Sequence, residues 1–489
     1  MLLPLISISF AQIENSEFAK CAAIKGDLER LECFDKLAKK NNLDGPQIVP
    51  SKIEGVGEWE ILVPQTVYPP REDTLMLARA LASLSRSSGL AVEIGCGSGA
   101  ISILLASLGW RVETCDINPM AVAAARGNAQ TAGLSDTILI SEGGVGEPGW
   151  NLPEDTDLLV WNLPYLDPVD EGEKLDPIED ASMLDITGGW SDLLLEEIHD
   201  SNISDDCLIV MLHRTDPPSQ SKSDSWLKAG WACRTLQSLR IGEERLEAIC
   251  YWKPAGGIGP VVLEECESTM DEAKKLDASS WGRVLSLNQA TGRGRRDTKW
   301  ETFEGSLACT WIIPFSDNEI LYPGLLQTSI GSALSSALGC NCKWPNDLID
   351  ERGIKLGGVL IESSTSESAV RIGVGINRDS TVVDGTEVSG WLEHSSEIEL
   401  MDVFVLVDAV IASLFESHPN SPPMVESELL EISWKGLANY LSRGVFIESD
   451  VGSCRVVGLS VDGRLELEAS GEVSTTDDVE SLDWTIPSD

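Results

Sequence analysis

Four histidines in 489 residues, and twelve cysteines without a C-x-x-C pair, offer little from which to build a zinc ribbon or a dense disulfide framework. Long apolar runs are missing too: nowhere do about 18 consecutive apolar residues occur, as a membrane-spanning helix requires. Basic residues are scarce, 36 Lys and Arg against 79 Asp and Glu, and the formal net charge of −43 repels nucleic acid and anionic membranes unless basic groups are concentrated locally. These absences argue against an integral membrane protein and against direct DNA binding. What remains, 42% hydrophobic and 24% charged residues, is ordinary globular composition. Single hydrophobic cores stop growing at roughly 250 to 300 residues, so two or three domains are expected.

Residues 1 to 50 stand apart. An apolar run, MLLPLISISFAQ, precedes the polar helical stretch SEFAKCAAIKGDLERLECFDKLAKKNN. The run lacks the basic flank of a signal peptide, so a helical appendage in the cytoplasm with reduced thiols is expected. A Cys21–Cys33 disulfide is the alternative, suggested by a likeness to the helical start of some exported bacterial proteins. From Ala91, the segments AVEIGCGSG, AISILLASLG, WRVETCDINP and AVAAARGNAQTAG read as strand, glycine turn, helix, strand and helix. Strand-like DTILIS, DLLVWN and CLIVMLH follow at helix-length spacings, which predicts a doubly wound sheet over 51 to 253. PAGGIGP (254 to 260) reads as a linker. Residues 261 to 430 mix strands and helices. In 431 to 489, alternating segments such as GVFIES, CRVVGLS and RLELEAS predict a small β-barrel.

Glycines 95, 97 and 99 after a strand permit a tight turn against a ligand, and Asp116, ending the next strand, is placed to bind a ribose diol. The run EIGCGSG, beginning at Glu93, is not the dinucleotide fingerprint G-x-G-x-x-G. VYPPREDT (ending at Thr74), EIGCGSG, DINP and NLPY (162 to 165) occur in the order of the HemK-type class I S-adenosylmethionine methyltransferases, which this region resembles. The resemblance implies a Rossmann-like fold. It gives Glu93, Gly95, Gly97, Gly99 and Asp116 to the cofactor, Glu142 to its adenine side, and Asn162, Pro164 and Tyr165 to a planar amide or amine. An Asn carboxamide and a backbone carbonyl can accept both N–H bonds of a target NH₂ and aim its lone pair at the methyl group. Leu163 departs from the family's proline. The opening is most similar to the short members that methylate a release-factor glutamine beside a small zinc-binding partner. Another nitrogen, or a domain that binds the cofactor without catalysis, stays open as the alternative.

Four more elements stand in order: EST (267 to 269), NQATGRGRR (288 to 296), KWPND (343 to 347) and KLGGVLIE (355 to 362). Four of the eight residues from 292 to 299 are basic, namely Arg293, Arg295, Arg296 and Lys299. Such a cluster in so acidic a chain wants an anion. Guanidinium forks match phosphate oxygens, and the alternating Gly292 and Gly294 let the loop fold over one. The neighbouring Cys340 and Cys342 read as buried small hydrophobes.

Together with IGVGINR (372 to 378), these elements resemble the biotin protein ligases, without the helix-turn-helix module that some members carry. The resemblance implies a class II synthetase-like α+β domain followed by an SH3-like β-barrel. It implies ATP, biotin and Mg²⁺ as ligands and a biotin carboxyl carrier protein as acceptor. Ser268, Thr269 and Gln289 would bind the biotin rings. Arg293, Arg295 and Arg296, with Gly292 and Gly294, would close on the carboxylate and α-phosphate. Trp300 would stack on adenine, and Lys355 would neutralise the acyl phosphate. Lys343, Asn346, Asp347 and Gly357 belong to the same ATP site, with Asp347 toward Mg²⁺. Asp297, where the family has glycine, puts loop closure in question.

Overall fold

The computed structural model describes residues 33, 36, 47–53, 56–85, 87–167, 183–294, 299–314, 322–363, 369–383, 385–393, 398–449, 452–479 and 482–485. The chain divides into two compact units, one of residues 1–226, 233–253 and 419–421 and the other of 227–232, 254–418 and 422–489, so the main change-over falls between Lys253 and Pro254. Among the described residues no helix is long and apolar enough to cross a membrane. Of the residues before β1 (Gln47–Ile53) only Cys33 and Lys36 are described, and Cys33 is disulfide-bonded. That corrects the expectation of a reduced appendage, because composition alone does not register a disulfide.

The first unit opens with an antiparallel hairpin, β1 (Gln47–Ile53) and β2 (Gly57–Val63). The helix α1 (Glu72–Ala82) follows. Then β3 (Leu90–Ile94), α2 (Ala100–Leu108), β4 (Arg111–Asp116), α3 (Pro119–Thr131) and β5 (Ile138–Glu142) alternate. The unit is completed by β6 (Thr156–Asn162), α4 (Trp190–Asp200), β7 (Leu208–Asp216), β8 (Ala232–Ile241) and β9 (Glu244–Trp252). The sheet order is β5-β4-β3-β6-β7-β9-β8. Its first five strands are parallel, and β9 runs antiparallel to β7. Every residue of β3 is buried, as expected of a parallel strand covered on both faces. The order reverses direction at β3, where doubly wound sheets leave a crevice at the carboxyl ends of their strands.

Local chemistry starts the helices on either side of that crevice. Gly99, at φ 83°, turns the chain into α2, and Asn118 caps α3 by accepting the Met120 N–H at 2.9 Å ahead of Pro119. Asn128, buried inside α3, bonds Leu62 N and O of β2 at 2.9 and 2.8 Å and also donates to Ser98 O at 2.9 Å. One carboxamide thus ties the hairpin to the glycine turn.

The second unit is built on a seven-stranded sheet of order β10-β11-β14-β18-β17-β16-β15, antiparallel throughout except for β10 with β11. Its strands are β10 (Val261–Leu263), β11 (Gly282–Ser286), β14 (Leu307–Pro314), β15 (Asn341–Lys343), β16 (Asp347–Ile349), β17 (Lys355–Ser363) and β18 (Ala369–Ile376). Outside the sheet, β12 (Gly292–Arg293) pairs with β13 (Lys299–Trp300), and β19 (Thr381–Val383) with β20 (Thr386–Val388). The principal helices are α5 (Thr269–Ala273), α6 (Pro323–Leu338), α7 (Leu400–Phe415) and α8 (Glu426–Leu441). The helix α7 is apolar nearly all round and correspondingly buried. Its Asp408 accepts from Trp311 Nε1 at 2.8 Å and pairs with Arg283 Nε at 3.2 Å. The segment read as a linker is held by this unit: Ala255 N donates to Glu416 Oε1 at 2.7 Å, and Arg283 donates to Ile258 O.

The last strands, β21 (Phe446–Ser449), β22 (Gly452–Leu459), β23 (Leu465–Ala469), β24 (Glu472–Thr476) and β25 (Asp483–Thr485), form a five-stranded sheet of order β24-β23-β22-β21-β25. The expected small β-barrel is not confirmed, since no closed barrel forms among the described residues. Closure needs a ladder between β24 and β25, and among the described residues each pairs on one side only; β24 is exposed along almost its whole length.

Candidate active sites

At the carboxyl ends of β3, β4 and β6 the first unit forms a cavity lined by Gly95, Gly97, Asp116, Trp161, Asn162 and Pro164. Gly95 and Gly97 have φ of 70° and 50°, a conformation that side chains other than glycine's rarely tolerate. Asp116 accepts from Gly97 N at 2.9 Å and Asn118 N at 2.8 Å, which fixes its carboxylate beside the turn. Burial pushes that carboxyl above its ordinary value while the two N–H groups hold it down. Glu93 is buried beneath the turn, accepts from the Ser102 hydroxyl, and is pushed up to about 8 by burial.

Three expected cofactor or substrate residues take other places. Gly99 does not line the cavity; a Cβ there would come within 3.0 Å of Ala125 Cβ, so besides turning the chain into α2 it lets α3 approach. Glu142 is exposed, and the following Gly143 and Gly144 line the cavity instead. Tyr165 is buried and lines a second cavity with Tyr68, Arg71, Asp73, Met183 and Glu244; Tyr68 and Met183 belong to both. Leu163 is fully buried, so the departure from the family pattern is in wall packing.

Sequence reasoning missed Trp161 and Trp190, whose rings lie 6.1 Å apart along the cofactor cavity. Trp161 could have been found as an aromatic next to Asn162 at a strand end. Trp190 carries no local signal, being brought in from α4. Most informative is Asn162: its Nδ2 donates to Asp73 Oδ2 at 3.2 Å, while its Oδ1 is buried without a hydrogen-bond partner.

In the second unit one cavity gathers residues from four separated segments. Ser268 and Thr269 come from the start of α5, Gln289, Arg293, Gly294 and Trp300 from the β11–β13 region, Asn346 and Asp347 from the start of β16, and Lys355 from β17. A relay of side chains crosses one wall. Thr310 Oγ1 donates to Thr269 Oγ1 at 2.9 Å, and Gln289 Oε1 accepts from Thr269 N and Oγ1 at 2.8 and 3.0 Å. Ser268 Oγ, by contrast, is buried and has no partner. A buried polar group left unpaired costs about 1 to 3 kcal/mol, which is ordinarily recovered by a ligand or an ordered water.

Opposite that wall, Lys355 Nζ pairs with Asp347 Oδ1 at 2.6 Å and lies 5.5 Å from the centre of the Trp300 ring. The indole fits because two glycines make room: a Cβ on Gly375 would meet its Cε2 at 2.8 Å and one on Gly292 its Cδ1 at 2.8 Å. Arg293 is held by Asp271 Oδ1 at 3.0 Å and Glu362 Oε1 at 3.5 Å. Asn346 Nδ2 donates to Val359 O at 2.9 Å.

Lys343, Gly292 and Gly357 are not in the lining. Gly357 packs where a Cβ would strike Gly375 O at 2.6 Å. Trp344 of KWPND turns inward, donating to Gly463 O at 3.0 Å. Cys342 is fully buried and Cys340 nearly so. Arg295, Arg296 and Asp297 lie outside the described residues. Among the described residues no three His, Cys, Asp or Glu side chains are grouped to hold a metal ion.

Two ligand cavities on two unrelated sheets define a protein that joins two transfer domains. The methyltransferase small domain matches residues 72–175, and the biotin/lipoate A/B protein ligase family matches 264–379. The chain is a fusion of a methyltransferase domain with a biotin/lipoate ligase domain. A biotin–[acetyl-CoA-carboxylase] ligase of Paracoccus denitrificans is 36% identical over 131 residues, 24% of this chain and 53% of the relative. A putative protein N5-glutamine methyltransferase of Methanocaldococcus jannaschii is 35% identical over 126 residues, 26% of this chain and 58% of the relative. The chain thus spans little more than half the length of these relatives. The solved biotin protein ligase of Aquifex aeolicus, in complex with biotin and ATP, aligns at TM-score 0.34 and 20% identity over 47% of this chain and 99% of its own.

Proposed function

We propose that residues 261–489 carry out ATP-dependent biotinylation of a lysine on a biotin carboxyl carrier protein, and that residues 51–253 methylate a protein nitrogen, the glutamine of a release factor, from S-adenosylmethionine. The observation that carries the ligase reading is the partnerless, buried Ser268 hydroxyl in the same cavity as Arg293 and Lys355. Ser268, Thr269 and Gln289 would hold the polar ring system of biotin. The biotin carboxylate attacks the α-phosphorus of ATP, forming the mixed anhydride biotinyl-5′-AMP as the bond to pyrophosphate breaks. Lys355 and Arg293 would stabilise the charge that develops, with Trp300 against the adenine and Asn346 ordering the phosphates. A divalent ion would arrive with the ATP phosphates. The acceptor lysine, as its neutral amine, then attacks the acyl carbon and AMP leaves.

In the first unit the residues present fit S-adenosylmethionine: a left-handed glycine turn, a fixed acid at the end of β4 and an aromatic wall. When bound, it supplies an electrophilic methyl group. Asn162 Oδ1 would accept an N–H of the acceptor amide and aim its nitrogen, so positioning supplies most of the catalysis. The test incubates the purified chain with biotin, MgATP and a carrier-protein domain, and in parallel with labelled S-adenosylmethionine and a release factor carrying its Gly-Gly-Gln loop. Biotin on the carrier lysine and label on the glutamine support the two readings separately. Turnover with lipoate alone overturns the first. Cofactor binding without methyl transfer overturns the second.

A further inference from the structure

Asp73 lies at the second position of α1, and almost none of its surface reaches solvent. One carboxylate oxygen, Oδ1, accepts from Thr74 N at 2.7 Å and Thr74 Oγ1 at 3.2 Å. The other, Oδ2, accepts from Asn162 Nδ2 at 3.2 Å. Asp73 lines the cavity of Tyr68, Tyr165 and Met183, whereas Asn162 lines the adjoining cofactor cavity, so their bond stands in the wall between the two.

We propose that Asp73 is a positioning residue for methyl transfer: its carboxylate forces the Asn162 carboxamide to turn its NH₂ toward α1 and leaves Oδ1 as the atom offered to the acceptor. An ionised carboxylate only accepts, so it can face Nδ2 but not Oδ1. Asn162 Oδ1 has no protein partner, and a group that donates a hydrogen bond completes it. A neutral NH₂ meets that demand. A carboxylate in the same place would set acceptor against acceptor with Asp73 behind it, so the pair selects glutamine over glutamate. Sites built to hydrogen-bond a substrate N–H reject analogues lacking it by about 10⁴-fold.

This inference deepens the methyltransferase reading and rests on it for the acceptor. Asp73→Asn is nearly isosteric and keeps an oxygen for Thr74, but presents an NH₂ to Asn162, whose carboxamide then flips. With a Gly-Gly-Gln release factor as acceptor, kcat should fall by about 10²-fold, the scale of losing one preorganised hydrogen bond in a transition state. The Kd for S-adenosylmethionine should stay within about twofold, which also reports that the unit is folded. In an Asn162→Ala background, Asp73→Asn should cost nothing further, because the group it positions is gone. Full activity of Asp73→Asn, or losses that multiply in the double variant, overturns the proposal.

A readout independent of the acceptor is the Asn162 side-chain NH₂ signal pair in a ¹⁵N NMR spectrum of the full chain, assigned by its loss in Asn162→Ala. It should move in Asp73→Asn. If the wild-type chain methylates no release factor, the glutamine reading fails by itself, and an unmoved signal pair separately overturns the role of Asp73.

Discussion

Lys355 Nζ sits 2.6 Å from Asp347 Oδ1, closing the gap between β17 and the start of β16. Both side chains are partly exposed, so the pair itself contributes about 0 to 1 kcal/mol to stability. Its value lies in placing a cation beside Trp300 and Asn346. Lys355→Ala should therefore leave the unfolding midpoint nearly unchanged and lower the rate of biotin-dependent pyrophosphate release by about 10²-fold or more. Equal losses in stability and rate would mean a structural role.

Ser268→Ala yields effects of opposite sign. Its hydroxyl is buried and without a partner, so removing it should stabilise the ligand-free chain by about 1 kcal/mol or more. The same change should weaken biotin binding by about tenfold, one lost hydrogen bond. Urea unfolding with and without biotin, alongside calorimetric titration, measures both. Unchanged biotin affinity would remove Ser268 from the site.

Gly375→Ala places a Cβ 2.8 Å from the Trp300 indole and must push the ring aside. Overpacking of this kind costs about 1 to 3 kcal/mol. The KM for ATP should rise by about tenfold or more as the adenine contact is lost, while the Kd for biotin changes little. A rise confined to biotin would place Trp300 against the other ligand.

Much of each cavity was legible because its residues sit in short motifs whose chemistry is local. Gly95 and Gly97 bend the chain wherever a strand meets a helix in this way, and KWPND brings Asn346 and Asp347 as neighbours. What escaped depends on distance in sequence. Asn128 reaches the hairpin from α3, Asp73 meets Asn162 across 89 residues, and Arg283 meets Asp408 from another element. Spacing cannot register such pairs. Gly99 and Gly357 also sit in tight packing that no motif announces, a Cβ on either meeting a neighbouring element. The alternating pattern after Gly444 correctly marks strands, but closure is a property of edge pairing, which no single strand's sequence encodes.

Glu93 gives a pH prediction. In the folded chain its carboxyl is pushed up to about 8 by burial, against an ordinary value of 4.5. Between those values the folded state binds more protons than the unfolded state, so its contribution to stability is full below about 4.5 and is lost as pH rises through about 8. Glu93→Gln carries no such proton. The stability difference, variant minus wild type, should grow as pH is raised from 5 to 8 in urea unfolding monitored on the methyltransferase unit. A difference flat with pH contradicts a buried, protonated Glu93.

The most direct test of the ligase assignment is single-turnover chemistry without any carrier protein. The chain is mixed with MgATP labelled in the γ-phosphate and with biotin, and released pyrophosphate is counted against enzyme. The account predicts a burst approaching one equivalent per chain that depends on biotin, with biotinyl-5′-AMP retained on the protein. Pyrophosphate release independent of biotin, or supported by lipoate and not by biotin, would contradict it.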